Sequence, residues 1–303
     1  MKTQLAMLAV ICAALHCGAQ SGNLADWPKL IQDKNADAAR SLCTPFENSE
    51  VVAEQVEAEK CLANVALCGH GEMELEKDDA GGGTLRESYA PETVDEALIH
   101  LNRGIKVAPQ DLSIHQGRLH VLETSGRYSD MVKALDESCT IYQGKDALEA
   151  WLDYAPELMD LRQYNAGLEF MKVLDKHYPN NSDVLGNIGA FLSLLKRDAE
   201  AIEYLKEATD LAPKDPINAW DLGREHDYAG QIALADQWYQ KALALDTDTE
   251  RRKHDACVYT EFVEKKLNER TKACDLQKQN CDAEQQTACA ATANSPPSPS
   301  KNQ

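Results

Sequence analysis

Two consecutive stretches of 34 residues, 182–215 and 216–249, share one pattern of small and large apolar residues. The matched pairs are Ile188 with Leu222, Gly189 with Gly223, Ala201 with Ala235, Leu205 with Tyr239, and Ala208 with Ala242. Each stretch is typical of a helix, a turn and a second helix, in which small residues let the two helices approach closely. Pro213 follows the second helix of the first stretch, and a proline cannot continue a helical ladder. The pattern predicts stacked helix pairs, none of which buries its apolar face alone.

Weaker copies of the pattern extend upstream at the same period. Residues 148–181 and 112–145 align with the two stretches. Before them, residues 93–111 have the pattern of a second helix, and residues 56–68 are its predicted first helix. Residues 20–50 are predicted to form a further, degenerate helical unit. The repeats are therefore expected to occupy residues 51–249.

An insertion of about 24 residues, 69–92, separates the helices predicted at 56–68 and 93–111. Five acidic residues precede a run of three glycines there: Glu72, Glu74, Glu76, Asp78 and Asp79 come before Gly81, Gly82 and Gly83. Carboxylates can bind hard cations, but the ordered spacing of a calcium-binding loop is absent. The insertion is predicted to be a mobile acidic loop.

The repeated pattern resembles the tetratricopeptide repeat. The resemblance implies an all-α fold, a right-handed superhelical solenoid of helix-turn-helix repeats. Solenoids need a terminal helix with a polar outer face, so residues 250–290 are predicted to form a C-terminal capping helix. Residues 291–303 contain a run of serine and proline and are expected to be disordered.

The N-terminus has the pattern of an export signal. Lys2 precedes an uncharged apolar run over residues 5–15, and Cys17, Gly18 and Ala19 offer the small residues that a signal peptidase reads. Cleavage is predicted after Ala19, which makes residues 1–19 a signal peptide. No apolar run is long enough to span a bilayer. The protein is therefore expected to be exported, periplasmic or secreted. An alternative is a lipoprotein anchored at Cys17, although His16 fits a lipidation motif poorly.

The cysteines are numerous enough to suggest an oxidising compartment. Signal cleavage would leave eight of the ten, an even number: Cys43, Cys61, Cys68, Cys139, Cys257, Cys274, Cys281 and Cys289. A disulfide from Cys43 to Cys61 or Cys68 is expected, because their helices should be neighbours. The alternative is a zinc site built from Cys61, Cys68, His70 and Glu72.

The last three cysteines, Cys274, Cys281 and Cys289, recur at intervals of seven and eight residues and should form one stripe on a helix. That stripe is predicted to be the apolar face of the cap, and the alternative is pairing with Cys257 or across a dimer.

Charge and motifs narrow the class of function. The formal net charge of −19 argues against a nucleic-acid surface, because phosphate binding needs clustered lysine and arginine. No serine nucleophile motif, phosphate loop or dinucleotide fingerprint is present, and His115 and His120 are spaced wrongly for a metal pair on one helical face. No cofactor, metal or catalytic residue is predicted.

The resemblance implies which residues face a ligand, because the first helix of each repeat lines the concave surface in this family. The groove positions carried onto this sequence are Trp220, Arg224, Asp227 and Tyr228, then Asp183 and Asn187, then Leu152 and Asp160, and finally Gln116, His120 and Glu123. Asn187 matches an amide with which chaperone-binding relatives grip a peptide carboxylate, but the accompanying lysines are missing. Trp220, Arg224 and Tyr228 lie four residues apart and share a helix face. Their alternative role is packing against the cap.

The function expected from these features is an exported scaffold for protein–protein interaction. It would hold a peptide or protein partner in the concave groove and catalyse no reaction. One alternative is a structural or assembly component of an outer-membrane or secretion complex, which would use the convex face and the cap. The other is a cysteine-based metal or redox protein.

Overall fold

The computed structural model describes residues 23–77, 83–141, 145–267, 272–273 and 275–276, with the backbone alone between 72 and 88. The chain divides into two compact units, here called unit 1 (up to Pro179) and unit 2 (from Asn180). The predicted signal peptide 1–19, Cys274, Cys281, Cys289 and the predicted tail 291–303 lie outside the described residues.

Unit 1 is built of antiparallel helix pairs with one inserted hairpin. Short 3₁₀ helices at Leu24–Asp26 and Thr44–Phe46 flank its first two α-helices. In chain order the elements are α1 (Trp27–Gln32), α2 (Ala36–Cys43), α3 (Val52–Leu67), β1 (Gly71–Lys77), β2 (Gly83–Tyr89), α4 (Pro91–Val107), α5 (Leu112–Thr124), α6 (Tyr128–Ile141), α7 (Lys145–Leu152), α8 (Tyr154–Asp160) and α9 (Tyr164–His177). Helix α3 packs on α4, α4 on α5, and α5 on α6.

The insertion forms an antiparallel β-hairpin rather than the predicted loop. Strands β1 and β2 pair from Gly71 opposite Tyr89 to Lys77 opposite Gly83, with Leu75 facing Leu85 across the ladder. The reason is visible in the sequence, because the glutamates of β1 alternate with apolar residues, a period of two that is typical of strands. Among the described residues this hairpin is the departure from the all-α prediction, and the rest confirms a helical repeat solenoid.

The helix predicted after residue 148 is divided into α7 and α8 at Asp153. Pro156 lies in the first turn of α8, and its ring would collide with the carbonyl of Leu152 in a continuous helix. Helix α7 therefore ends at Leu152. Trp151 and Tyr154, on either side of the break, are both buried, so the break lies over the core of unit 1.

Unit 2 contains the two best-matched repeats and the helix that follows them. Its helices are α10 (Ser182–Leu194), α11 (Asp198–Leu211), α12 (Pro216–Tyr228), α13 (Ile232–Leu245) and α14 (Thr249–Lys265). Each first helix begins at a side-chain cap: Asn181 accepts from the backbone of α10, Asp215 from that of α12, and Asp248 from that of α14.

The matched small residues of unit 2 lie where two helices approach closely. A Cβ added to Gly189 would be 2.5 Å from Cγ of Leu205 on α11, and one added to Gly223 would be 2.9 Å from Cδ1 of Tyr239 on α13. Ala201 and Ala235 are fully buried at the same interfaces. The small residues of the repeat pattern thus lie at the contact between the two helices of each repeat, as predicted.

A disulfide ties α2 to α3 at the start of unit 1. It joins Cys43 to Cys61, whose Cα atoms are 6.3 Å apart, and both residues are fully buried. The zinc site considered for Cys61 and Cys68 is therefore wrong, because an oxidised Cys61 offers no thiolate. Cys257 on α14 is also disulfide-bonded.

Cys68 and Cys139 are buried thiols. Burial raises the pKa of Cys139 to about 12, so this thiol stays protonated and poorly reactive near neutral pH.

None of the described helices is long and apolar enough to cross a membrane.

Candidate functional site

Helix α12 positions four of the predicted groove residues. It begins at the Asp215 cap with Pro216 in its first turn, an arrangement that presets the helical backbone. Trp220, Arg224 and Tyr228 then follow at intervals of one turn and lie on one face of α12.

Trp220 packs mainly against other side chains of unit 2. Its ring centroid is 4.6 Å from that of Tyr239, and it packs on a cluster that includes Tyr259 and Phe262 of α14. The packing role that the sequence left open for this residue therefore holds in the structure.

Arg224 lies among carboxylates of its own helix. Its guanidinium is 2.9 Å from the Asp221 carboxylate and 3.7 Å from Glu225, and its side chain is one-third exposed. Burial raises the pKa of Asp221, although the Arg224 charge opposes the shift. Arg224 therefore neutralises a carboxylate that the helix has largely removed from water, while part of it still reaches solvent.

Glu225 links α12 to α10 from a fully buried position. Its Oε1 accepts a hydrogen bond of 2.5 Å from the Ser193 hydroxyl, and Oε2 has no hydrogen-bond partner among the described residues. Burial raises the pKa of Glu225, while the Ser193 hydrogen bond and Arg224 act in the opposite direction. This contact fixes the first helices of the two repeats against each other.

The end of α12 carries an exposed groove side chain. Tyr228 is 55% exposed, and the Lys196 ammonium lies 5.5 Å from the centre of its ring. Asp227 forms an ion pair of 3.3 Å with Lys266, just beyond α14. Asp227 therefore joins the repeat to the terminal helix, while Tyr228 is presented to solvent.

The groove residues of α10 form a small polar surface. Asp183 is exposed, and its carbonyl accepts a hydrogen bond of 2.8 Å from the amide nitrogen of Asn187, which is half-buried. A Cβ at Gly186, on the same face, would be 2.2 Å from Oδ1 of Asn218 on α12, so α10 and α12 are closely packed at this point.

The groove residues of unit 1 lie on α5, α7 and α8. His120 is half-exposed, and its Nδ1 is 3.5 Å from Oε2 of the buried Glu123. Leu152 is half-buried at the end of α7, and Asp160 is exposed at the end of α8. His115, by contrast, is buried and bonds to Ser138 and the Pro109 carbonyl.

A family model described as tetratricopeptide repeat matches residues 182–215, the stretch that contains α10 and α11. The chain contains a tetratricopeptide repeat at these residues. No curated protein matches it significantly.

Several solved structures are similar to this chain. The structure titled for pilF of Pseudomonas aeruginosa is 15% identical with a TM-score of 0.44, covering 66% of this chain and 90% of that one. PilW, titled a widely conserved type IV pilus biogenesis factor, is 17% identical with a TM-score of 0.42, covering 62% and 84%. A human IFIT1 dimer with PPP-AAAA is 17% identical with a TM-score of 0.42, covering 88% and 61%. At these identities and TM-scores the likenesses carry no argument about function.

Within unit 2, the predicted residues lie on the first helices α10 and α12. Sequence reasoning missed Lys196, which lies in the turn after α10 with a positive φ of 61° and reaches the Tyr228 ring. It also missed Lys266, because the ion pair with Asp227 joins residues from different helices. Over the described residues, no three His, Cys, Asp or Glu side chains are grouped to hold a metal ion.

Proposed function

We propose that this tetratricopeptide-repeat protein is an exported scaffold for protein–protein interaction with no reaction of its own. Its partner would be an extended peptide or a helix held against the first helices of unit 2. The observation that carries the proposal is the face of α12, where Tyr228 is 55% exposed beside the partly exposed Arg224. Tyrosine and arginine are enriched among the residues that contribute most to binding energy.

Exposed apolar residues on the same first helices support this proposal. Leu194 at the end of α10 is 37% exposed, and Ile217 at the start of α12 is 51% exposed. Burying such side chains against a partner contributes about 25 cal/mol per Å² of apolar surface. A surface of this kind suits a peptide with apolar side chains spaced along its length. The net charge of −19 favours a protein partner over a nucleic acid.

The disulfides support the exported location. The Cys43–Cys61 bond and the bonded state of Cys257 suit an oxidising compartment, where disulfides form and persist. The proposed signal peptide 1–19 and cleavage after Ala19 would deliver the chain to the periplasm or outside the cell. N-terminal sequencing of the mature protein from its host tests this step: a chain beginning at Gln20 supports export, and one retaining Met1 contradicts it.

The binding experiment uses a groove variant that spares the core. Trp220 is left intact because it packs on the terminal cluster, so the variant is Tyr228→Ala with Asp183→Ala and Asn187→Ala. A matched control replaces three exposed residues of the second helix α11: Glu203, Asp210 and Leu211. Both variants are compared with wild type by cross-linking and capture from the native host's envelope.

We expect a partner that is recovered with the wild type and the α11 control and lost with the groove variant. Equal recovery by all three proteins, with circular dichroism showing the groove variant folded, would contradict the proposal.

A second candidate is an assembly role in an outer-membrane or secretion complex. It is favoured by Val258, which is 46% exposed on α14 beside the disulfide-bonded Cys257. In the same capture experiment, Val258→Asp separates the two candidates. Loss of the partner with this variant, and retention with the groove variant, would place binding on the terminal helix.

A further inference from the structure

The groove face of α12 has more carboxyl groups than cations that pair with them. Among the described residues, Asp221 and Glu225 share the guanidinium of Arg224, at distances of 2.9 Å and 3.7 Å. The Lys266 ammonium also approaches this helix, but it is paired with Asp227 at 3.3 Å. One positive charge therefore serves two carboxyl groups beside the groove.

The buried carboxyl group of Glu225 is only partly satisfied. The residue is fully buried, and the Ser193 hydroxyl donates a hydrogen bond to its Oε1. Its Oε2 has no hydrogen-bond partner among the described residues, although the carboxyl group faces the Arg224 guanidinium. A buried polar atom without a partner is costly, so Glu225 attracts Arg224 inwards while Asp221 attracts it towards the groove. Arg224 therefore neutralises neither carboxyl group completely.

The next first helix adds a carboxyl group at the same position of the repeat. Asp255 on α14 follows Asp221 by 34 residues, and the buried neighbours Leu222 and Ala256 have the same interval. Helix α14 lies beside α12, because Trp220 packs on the aromatic cluster to which α14 contributes. The repeat therefore places Asp221 and Asp255 in one row across the first helices, and both are half-buried.

The two carboxyl groups of this row act on each other through their charges. Burial raises the pKa of each, and the Asp221 charge adds to the rise at Asp255. Arg224 opposes the shift at Asp221, and His254 opposes it at Asp255. Over the described part of the chain, no cation forms an ion pair with Asp255. A positive charge supplied from outside would stabilise both ionised groups.

The surroundings of Asp221 indicate which kind of segment could bring that charge. On α12, Ile217, Asp221, Arg224 and Tyr228 follow at intervals of three or four residues and form one stripe. The apolar side chain of Ile217 at one end is 51% exposed, and Tyr228 at the other end is 55% exposed. Asn187 holds the equivalent position on α10, where its amide nitrogen donates to a backbone carbonyl and leaves its side-chain oxygen as a further acceptor.

We propose that Asp221 and Asp255 bind a lysine or arginine side chain of the partner, and that apolar residues flank this basic residue in the partner's sequence. The inference rests on the scaffold function proposed above and specifies the chemistry of its partner. The partner's cation supplies the charge that the row lacks and releases Arg224 towards the unpartnered oxygen of Glu225. The net charge of −19 favours the approach of a basic segment.

The first test selects peptides on purified full-length protein. A phage library of random peptides is enriched on the wild type and on the Asp221→Asn, Asp255→Asn double variant. The matched control is Glu203→Gln with Asp210→Asn, which removes two exposed charges from α11. Circular dichroism verifies that each protein is folded, and the Asp255→Asn single variant replaces the double variant if that one is unfolded.

We expect the peptides enriched on the wild type and on the α11 control to carry lysine or arginine at one fixed position. This preference should disappear on the variant of the row. Specific peptides without a basic residue, or an equal preference on all proteins, would overturn this inference and leave the scaffold function standing. Failure of the wild type to enrich any peptide would contradict both.

A double-mutant cycle then tests the contact itself. One enriched peptide is made with its basic residue and with glutamine in that place, and both are titrated against wild type and Asp221→Asn by fluorescence anisotropy. Either change alone should weaken binding at least about tenfold, as expected for a close charge pair at an interface. The two changes together should weaken it little further. Losses that multiply in the doubly changed pair would overturn the contact with Asp221.

Discussion

Removing the Cys43–Cys61 disulfide should destabilise the start of unit 1 by a predictable amount. The bond joins α2 to α3 across a sequence separation of 18 residues. For a loop of this length, the loss of chain entropy in the unfolded state corresponds to about 3 kcal/mol at 25 °C. The Cys43→Ala, Cys61→Ala double variant should lose this stability, together with the cost of removing two buried sulfur atoms.

The cost of removing a buried sulfur can be measured separately. Cys139 is a thiol in the same unit and, like the disulfide pair, is fully buried. Cys139→Ala therefore gives the packing loss for one sulfur atom without a change in cross-linking. The free energy of unfolding of unit 1 is measured in urea, with hydrogen exchange reporting on α2 and α3. The loss in the double variant should exceed twice the loss in Cys139→Ala by about 3 kcal/mol. A double variant no less stable than that would refute the reasoning.

Three further perturbations test the packing and charges of unit 2. Gly189→Val places a branched side chain against Leu205 and should cost about 1–3 kcal/mol in urea unfolding, whereas Ala199→Val on the exposed face of α11 should cost far less. Trp220→Ala should lower stability by about 2–3 kcal/mol and weaken the near-ultraviolet circular dichroism signal, because it removes an aromatic ring from the terminal cluster. An unchanged spectrum would argue against that role. Hydrogen bonds from the Arg251 guanidinium on α14 lower the pKa of Asp246. The contribution of Asp246 to stability is therefore present above its ordinary pKa and is lost as the pH falls. Asp246→Asn should make the loss of stability in acid less steep, and an unchanged dependence of stability on acid pH would contradict this.

The repeat architecture could be predicted because its determinants are local. Gly189 and Gly223 recur at a fixed interval, and the structure shows why each is small: a neighbouring side chain of the next helix occupies the space of a Cβ. The caps at Asn181 and Asp215 likewise lie just before the helices they start. The residues that determine these features lie within a stretch of sequence shorter than one repeat.

Other features depended on weaker local signals or on contacts between distant residues. The acidic residues of the hairpin at 71–89 alternate with apolar ones, and this alternation over a few residues is the local signal of its strands. The break between α7 and α8 follows from Pro156, a single residue within an otherwise continuous helical pattern.

The candidate site also combines features set by local sequence with features set by contacts between distant residues. The spacing placed Trp220 and Tyr228 on one face of α12, but it could not separate a packing role from an exposed one. That distinction depends on Tyr239 and α14, which approach Trp220 and leave Tyr228 in solvent. Lys196 reaches the Tyr228 ring from a turn in another repeat, so no local sequence pattern predicts this contact.

The most direct test of the scaffold function is a cross-linking map made with a photoreactive amino acid. The residue is introduced singly at Asp183, Asn187 and Tyr228 on the first helices of unit 2, and at Glu203 and Leu211 on the second helix α11. Irradiation in the native host's envelope, followed by mass spectrometry, compares the products at each position. We expect one partner protein that is cross-linked from the first-helix positions and not from α11. Cross-links of equal yield from both sets, or from α11 alone, would contradict it.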